Sequence, residues 1–168
     1  GVRAPRAVVA EMAWLKRVYA PDHLWMVDDV FGLKPGWVEE FAARVLEADA
    51  RIPFRCLVRA GQVTPAVAAA LASAGCRMVW MGAESGSQRV LDAMEKGQRV
   101  ADIGAARGWL REAGIGVGFF LQFGYPGEGW VDIEATLALV REQAPDDIGV
   151  SVSYPLPGTR FYDRVREE

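Results

Sequence analysis

The chain has 168 residues, 51% of them hydrophobic and 24% charged, with a formal net charge of −3 and a pI near 5.3. This is the balance of a folded globular domain, and it excludes a disordered, collagenous or coiled-coil chain. With no basic stripe it also excludes a protein built mainly to grip a nucleic-acid backbone. No apolar run approaches the ~20 residues needed to span a bilayer and no signal-peptide pattern opens the chain, so a cytoplasmic location is expected. The two cysteines, Cys56 and Cys76, fall in separate predicted elements without a CxxC pairing, so neither a disulfide framework nor a local metal site is expected, and both read as small buried hydrophobes.

Short β-rich apolar runs alternate with amphipathic helical stretches, the pattern of repeated βα units. From Arg6 to Tyr19, the residues Val8, Met12, Leu15 and Tyr19 mark one helical face, and Pro21 stops it. A strand is predicted over Leu24 to Val27, and a helix from Gly36 to about Ala48 with Val38, Phe41 and Val45 inward. Phe54 to Val58 is the second strand. Thr64-Pro65 reads as an N-cap followed by proline at the first helical position, and Gly75 as a left-handed stop, before a strand over Met78 to Met81.

Ser85 and Gln88 stand at capping-box spacing, predicting a helix from about Gly86 to Glu95 with Val90, Leu91 and Met94 inward. A helix over Val100 to Ala113 leads to a strand over Val117 to Phe123. Ile133, Leu137 and Val140 then define the inner face of a helix starting near Trp130 and closed by Pro145. Ile148 to Val152 is the last strand, and Phe161 to Val165 begins a final helix. No linker or composition shift divides the chain, so residues 1–168 read as a single domain. The tryptophans read as packing, and His23, at the start of its strand, as structural.

Five strands joined through helices predict an α/β fold with a parallel sheet and right-handed crossovers. A complete eight-stranded barrel takes about 250 residues, so an open or partial barrel is expected. In such folds the strand ends leading into βα loops form the binding face. Those ends deliver Asp28-Asp29, Arg59, Glu84-Ser85, Gln122 with Gly124-Tyr125-Pro126, and Ser153-Tyr154. Each has a plain alternative: turn solvation for the aspartates, a surface ion pair for Arg59, favourable charge at a helix N-terminus for Glu84, turn geometry for the glycines. Together they suit a zwitterionic, polyhydroxylated, nucleotide-like ligand. No Walker A, GxGxxG, HExxH or GxSxG motif is present.

At these residues the chain resembles the radical S-adenosylmethionine (SAM) superfamily, in the branch of cobalamin-dependent methyltransferases and cyclases and of methylthiotransferase-like enzymes. Val27-Asp-Asp-Val-Phe31 is similar to a "DDxF" strand end, and Cys56-Leu-Val-Arg-Ala60 to the strand after it. Gly82-Ala-Glu-Ser-Gly-Ser-Gln-Arg-Val-Leu-Asp-Ala-Met-Glu-Lys-Gly97 is similar to "GIESGSxxVLxxMxKG". Gln122-Phe-Gly-Tyr-Pro-Gly-Glu128 and Tyr154-Pro-Leu-Pro-Gly-Thr159 are similar to "GxPGE" and "PxPGT". The resemblance implies a partial (β/α) barrel, about five parallel strands of a (β/α)6-type radical SAM barrel. It also implies that a 4Fe-4S cluster cleaves SAM reductively to a 5′-deoxyadenosyl radical, which then modifies a substrate.

By the same resemblance Asp28 and Asp29 approach the SAM amino group, and Glu84 and Ser85 the ribose or carboxylate. Gln122 and the turn of Gly124, Tyr125 and Pro126 lie near adenine, and Tyr154 near adenine or substrate. Arg59 is counted with the cofactor-binding rim. Cobalamin is an optional further cofactor, and a flavodoxin- or ferredoxin-like electron donor the expected partner. The family's CxxxCxxC cluster loop is absent, and Cys56 and Cys76 have the wrong spacing to replace it. Since the chain opens on Gly1 with a stretch like the helix that follows that loop, the expectation is a fragment whose first strand and cluster loop lie upstream. The competing expectation is a degenerate, non-catalytic barrel that binds a nucleotide-like ligand or a partner protein.

Overall fold

A computed structural model describes residues 2–167. Five parallel strands, β1 (Leu24–Trp25), β2 (Phe54–Val58), β3 (Cys76–Glu84), β4 (Gly116–Phe123) and β5 (Asp147–Val152), pair in chain order. Helices join them: α1 (Pro5–Tyr19) precedes β1, and α2 (Trp37–Glu47) and α3 (Pro65–Ala74) follow β1 and β2. The pair α4 (Gln88–Ala93) and α5 (Val100–Glu112) follows β3, α6 (Trp130–Gln143) follows β4, and α7 (Arg160–Glu167) follows β5. Because strand order equals chain order, every crossover passes over the same face, and the sheet curls into a half-barrel with its helices outside.

Alternate residues of each strand face those helices. Phe54, Cys56 and Val58 of β2, Val79, Met81 and Ala83 of β3, and Val117, Phe119 and Leu121 of β4 are buried in one hydrophobic cluster with Phe41, Leu71, Ile103 and Leu110 from the helices. The intervening residues line the concave side. There Trp80 and Phe120 stack with centroids 4.6 Å apart. Both rings lie over glycine: a Cβ at Gly118 would come within 2.6 Å of Trp80, and one at Gly149 within 2.8 Å of Phe120.

Local signals worked where the backbone itself carries them. Thr64 Oγ1 accepts from the Val67 N–H at 3.2 Å, Pro65 opens α3, and Gly75 stops it at φ 105°. β1 is shorter than expected. Met26 still donates to the Arg55 carbonyl at 2.9 Å, but the chain then swings outward and returns at Phe31, which donates to the Leu57 carbonyl. Phe31 is buried edge-on against Trp37 at 5.1 Å and Phe41 at 5.4 Å, so the aromatic of the DDxF segment is a core plug that leaves both aspartates in solvent.

Other expectations are corrected. On α1 the buried face is Val9 and Met12, and Tyr19 is exposed. α4 starts at an N-cap of Ser87, without a capping box from Ser85, because Ser85 is committed elsewhere; Gln88 instead accepts from the Val100 N–H at the start of α5. On α6 the inner face is Asp132, Thr136 and Leu139, with Leu137 turned out, because hydroxyl and carboxylate groups there meet the β3–α4 loop. The tryptophans divide: Trp37 is core, whereas Trp14, Trp25 and Trp130 are exposed. Cys56 and Cys76 are buried free thiols on the helix-facing side. A hydrogen bond with Cys76, together with burial, pushes the Cys56 thiol well above its ordinary range.

Candidate cofactor-binding rim

The strand ends converge on one edge of the half-barrel. β3 reaches it through an irregularity: its register against β4 shifts between Gly82 and Glu84, and Glu84 takes a left-handed φ of 60°. For a residue with a Cβ that conformation costs about 1 kcal/mol or more and persists only where neighbours enforce it. The Glu84 carboxylate folds back over Gly82, whose missing Cβ would lie 2.8 Å from Oε1. Lys96 Nζ donates to the same oxygen at 2.9 Å, and the Glu84 side chain is only 15% exposed. Gln98 Nε2 donates to the Gly82 carbonyl at 2.9 Å, tying the loop that carries Lys96 to the strand.

On β4, Gln122 faces the concave side and its Nε2 donates to Ser153 Oγ at 3.0 Å, linking the exits of β4 and β5. The following turn is closed internally: Gly124, at φ 74°, donates its N–H to the Glu128 carboxylate, and the Glu128 N–H bonds the Tyr125 carbonyl at 2.9 Å. Tyr125 turns away from the barrel axis, its hydroxyl on the Ala93 carbonyl at 2.8 Å and its ring stacked on Phe161 of α7. Pro126 is half-buried, and Tyr154 stands 74% exposed beyond β5. Asp28, Asp29 and Arg59 are exposed at the exits of β1 and β2, and their side chains engage no partner among the described residues.

Ser85 does not open on the rim. It is fully buried, with Oγ 3.1 Å from Thr136 Oγ1 and accepting from the Ser87 N–H at 3.1 Å. The sequence reading also passed over Lys96, although the KG that closes the long β3–α4 motif held the signal. A cation twelve positions after Glu84 is brought back to it by one short helix and a turn. A concavity of about 630 Å³ runs between α1 and the free edge of β1 and includes Asp28 and Asp29. A second, of about 320 Å³, lies between Phe31, Val38, Gln62 and Leu71.

The rim therefore offers carboxylates for an ammonium group or ribose hydroxyls, cations for a carboxylate, and an amide beside a glycine turn for a base. An iron–sulfur cluster does not fit this donor set: its thiolates must converge, and the two cysteines are buried on the opposite face of the sheet. Among the described residues no group of three or more His, Cys, Asp or Glu is arranged to hold a metal ion, and no helix is long and apolar enough to cross a membrane.

Comparison with known proteins supplies the family. An uncharacterized methyltransferase of Pyrococcus horikoshii is 26% identical over 160 residues, covering 93% of this chain and 34% of the relative. The radical S-adenosylmethionine methyltransferase TsrM of Kitasatospora setae, solved with cobalamin and a [4Fe-4S] cluster, superposes with a TM-score of 0.82 at 24% identity, over 93% of this chain and 32% of that one. Coproporphyrinogen III oxidase of Escherichia coli, a radical SAM enzyme, superposes with a TM-score of 0.70 at 19% identity, over 91% of this chain and 38% of that one. The chain thus spans about a third of the length of the proteins it matches. With the Radical SAM superfamily model matching residues 1–140, on the same half-barrel that carries the Glu84–Lys96 rim, the chain belongs to the radical SAM superfamily.

Proposed function

We propose that this chain forms the SAM-holding wall of a radical SAM enzyme that reductively cleaves S-adenosylmethionine at a 4Fe-4S cluster and uses the resulting 5′-deoxyadenosyl radical on its substrate. The observation that carries this reading is the Glu84–Lys96 pair, held at a strained strand end inside the family match. A zwitterion entering the rim sets its ammonium against Asp28 and Asp29 and its ribose or carboxylate beside Glu84, with Lys96 and Arg59 as the cations available to the carboxylate. Gln122, Ser153 and the turn of Gly124, Tyr125 and Pro126 border the place of the flat base, with Tyr154 beside it.

No residue of this chain is assigned to hold the cluster, which in this reading would be held by thiolates from other segments and would supply the electron for carbon–sulfur cleavage. The chain's own residues hold the sulfonium ligand in one pose, and the Trp80–Phe120 stack keeps the concave face dry beneath it. A flavodoxin- or ferredoxin-like donor provides the electron. Two buried free thiols accord with a reducing cytoplasm. The methyltransferase names of two relatives favour methyl transfer with cobalamin as the carrier, which no residue of this chain is assigned to hold.

The test is anaerobic reconstitution of the intact protein with iron and sulfide, followed by reduction in the presence of SAM. The expected result is 5′-deoxyadenosine derived from SAM. A reconstituted protein that leaves SAM intact overturns the reading in favour of a binding module.

A further inference from the structure

Between Glu84 and α4 lie Ser85, Gly86 and Ser87, and none of the three serves the rim. Thr136, fully buried on α6, spends its single hydroxyl proton on the Asp132 carbonyl at 3.0 Å and accepts from the Gly86 N–H at 2.9 Å. Ser85 Oγ, 3.1 Å from Thr136 Oγ1, is therefore the donor of that bond, while it accepts from the Ser87 N–H. Ser87 Oγ in turn donates to Asp132 Oδ1 at 2.6 Å. The other Asp132 oxygen accepts from the Gly129 N–H at 2.9 Å and from Arg89. Gly86 allows the approach: a Cβ there would lie 2.3 Å from the Ala135 carbonyl oxygen and 2.8 Å from Thr136 Cα.

The Ser85 and Ser87 hydroxyls and the Gly86 N–H are thus all bound to one face of α6, and the residue immediately before them is Glu84 in its left-handed conformation. Unsupported backbone would relax out of that region. We infer that Thr136 and Asp132 are positioning residues for Glu84, acting through Ser85 and Ser87. Within the Glu84–Ser87 segment one residue is for the ligand and three are for the helix. This rests on the reading of Glu84 as a SAM contact.

The experiment is SAM binding by the intact protein, measured calorimetrically under anaerobic conditions for the unmodified chain, Thr136→Val and Thr136→Ser, with thermal midpoints recorded alongside. Valine keeps the shape and removes the hydroxyl; serine restores the hydroxyl and omits the methyl group. One buried hydrogen-bonded hydroxyl predicts about a tenfold loss of affinity for Thr136→Val, with Thr136→Ser within about twofold of the unmodified protein. Should Thr136→Val fail to fold, Ser87→Ala, which cuts only the bond to Asp132, reads the same effect, with an expected loss of about threefold. Unmodified affinity in folded Thr136→Val, or in Ser87→Ala where it stands in for that variant, overturns the inference alone, as does an equal loss in the serine and valine variants. Absence of SAM binding by the unmodified protein overturns the reading of the rim and this inference with it.

Discussion

Glu84 and Lys96, twelve positions apart, meet at 2.9 Å over the open end of the half-barrel, with the Glu84 backbone in the left-handed region. The pair joins a β-bulge to the turn after α4, so each residue fixes the other's place as well as its charge. Glu84→Gln and Lys96→Met are each expected to weaken SAM binding about tenfold or more, since each removes a charge-assisted hydrogen bond and leaves its partner unmatched. The double variant should lose less than the product of the two, and a calorimetric double-mutant cycle checks this.

Asp132 gives the α6 brace a pH dependence. Bonds from Ser87, the Gly129 N–H and Arg89 hold its carboxyl at about 2, below the ordinary aspartate range. The unfolded chain binds this proton more readily than the folded one, so the contribution is complete above about pH 4 and is lost as pH falls through about 2. Denaturation midpoints measured across that window should fall in the unmodified protein. Asp132→Asn should start lower at neutral pH and fall less.

The glycines beneath the aromatic stack are spatial necessities. Gly118→Ala drives a methyl group into the Trp80 ring, and a destabilisation of about 1–3 kcal/mol is expected, together with altered tryptophan fluorescence. Gly108→Ala, in α5 with no atom within 4 Å of the new Cβ, should instead stabilise the fold by about 0.5–1 kcal/mol. Chemical denaturation of the two variants separates the cases.

At the opposite end of the barrel, Arg55 Nε donates to His23 Nε2 at 2.9 Å while its guanidinium lies over Trp25. Desolvation and the nearby Arg55 charge move His23 below its ordinary value of 6.5. A proton-detected titration should find the midpoint below that value and shifted upward in Arg55→Met. Because charging the imidazole breaks the bond, its contribution is present above pH 6.5 and is lost as pH falls through the folded-state midpoint.

Most of the framework was legible because it rests on local chemistry: the Thr64-Pro65 start, the Gly75 stop and the strand over Phe54–Val58 need no tertiary partner to be read. Errors arose where distant groups decide. Apolar periodicity pointed α6 inward along Ile133 and Leu137, but the β3–α4 loop had buried polar bonds to satisfy and turned Asp132 and Thr136 toward it. Ser85 sat in a motif beside a rim residue, and its orientation depended on a threonine 51 positions away. Lys96 was quoted within the motif yet returns to Glu84 only after α4 has reversed the chain.

The central claim is that the rim around Glu84 holds SAM, and equilibrium binding of SAM to the intact, anaerobically purified protein tests it most directly. Saturable binding, weakened at least tenfold by Glu84→Gln while the thermal midpoint stays within a few degrees, is the predicted result. Binding that is absent, or that is the same in the unmodified protein and in Glu84→Gln, would contradict it.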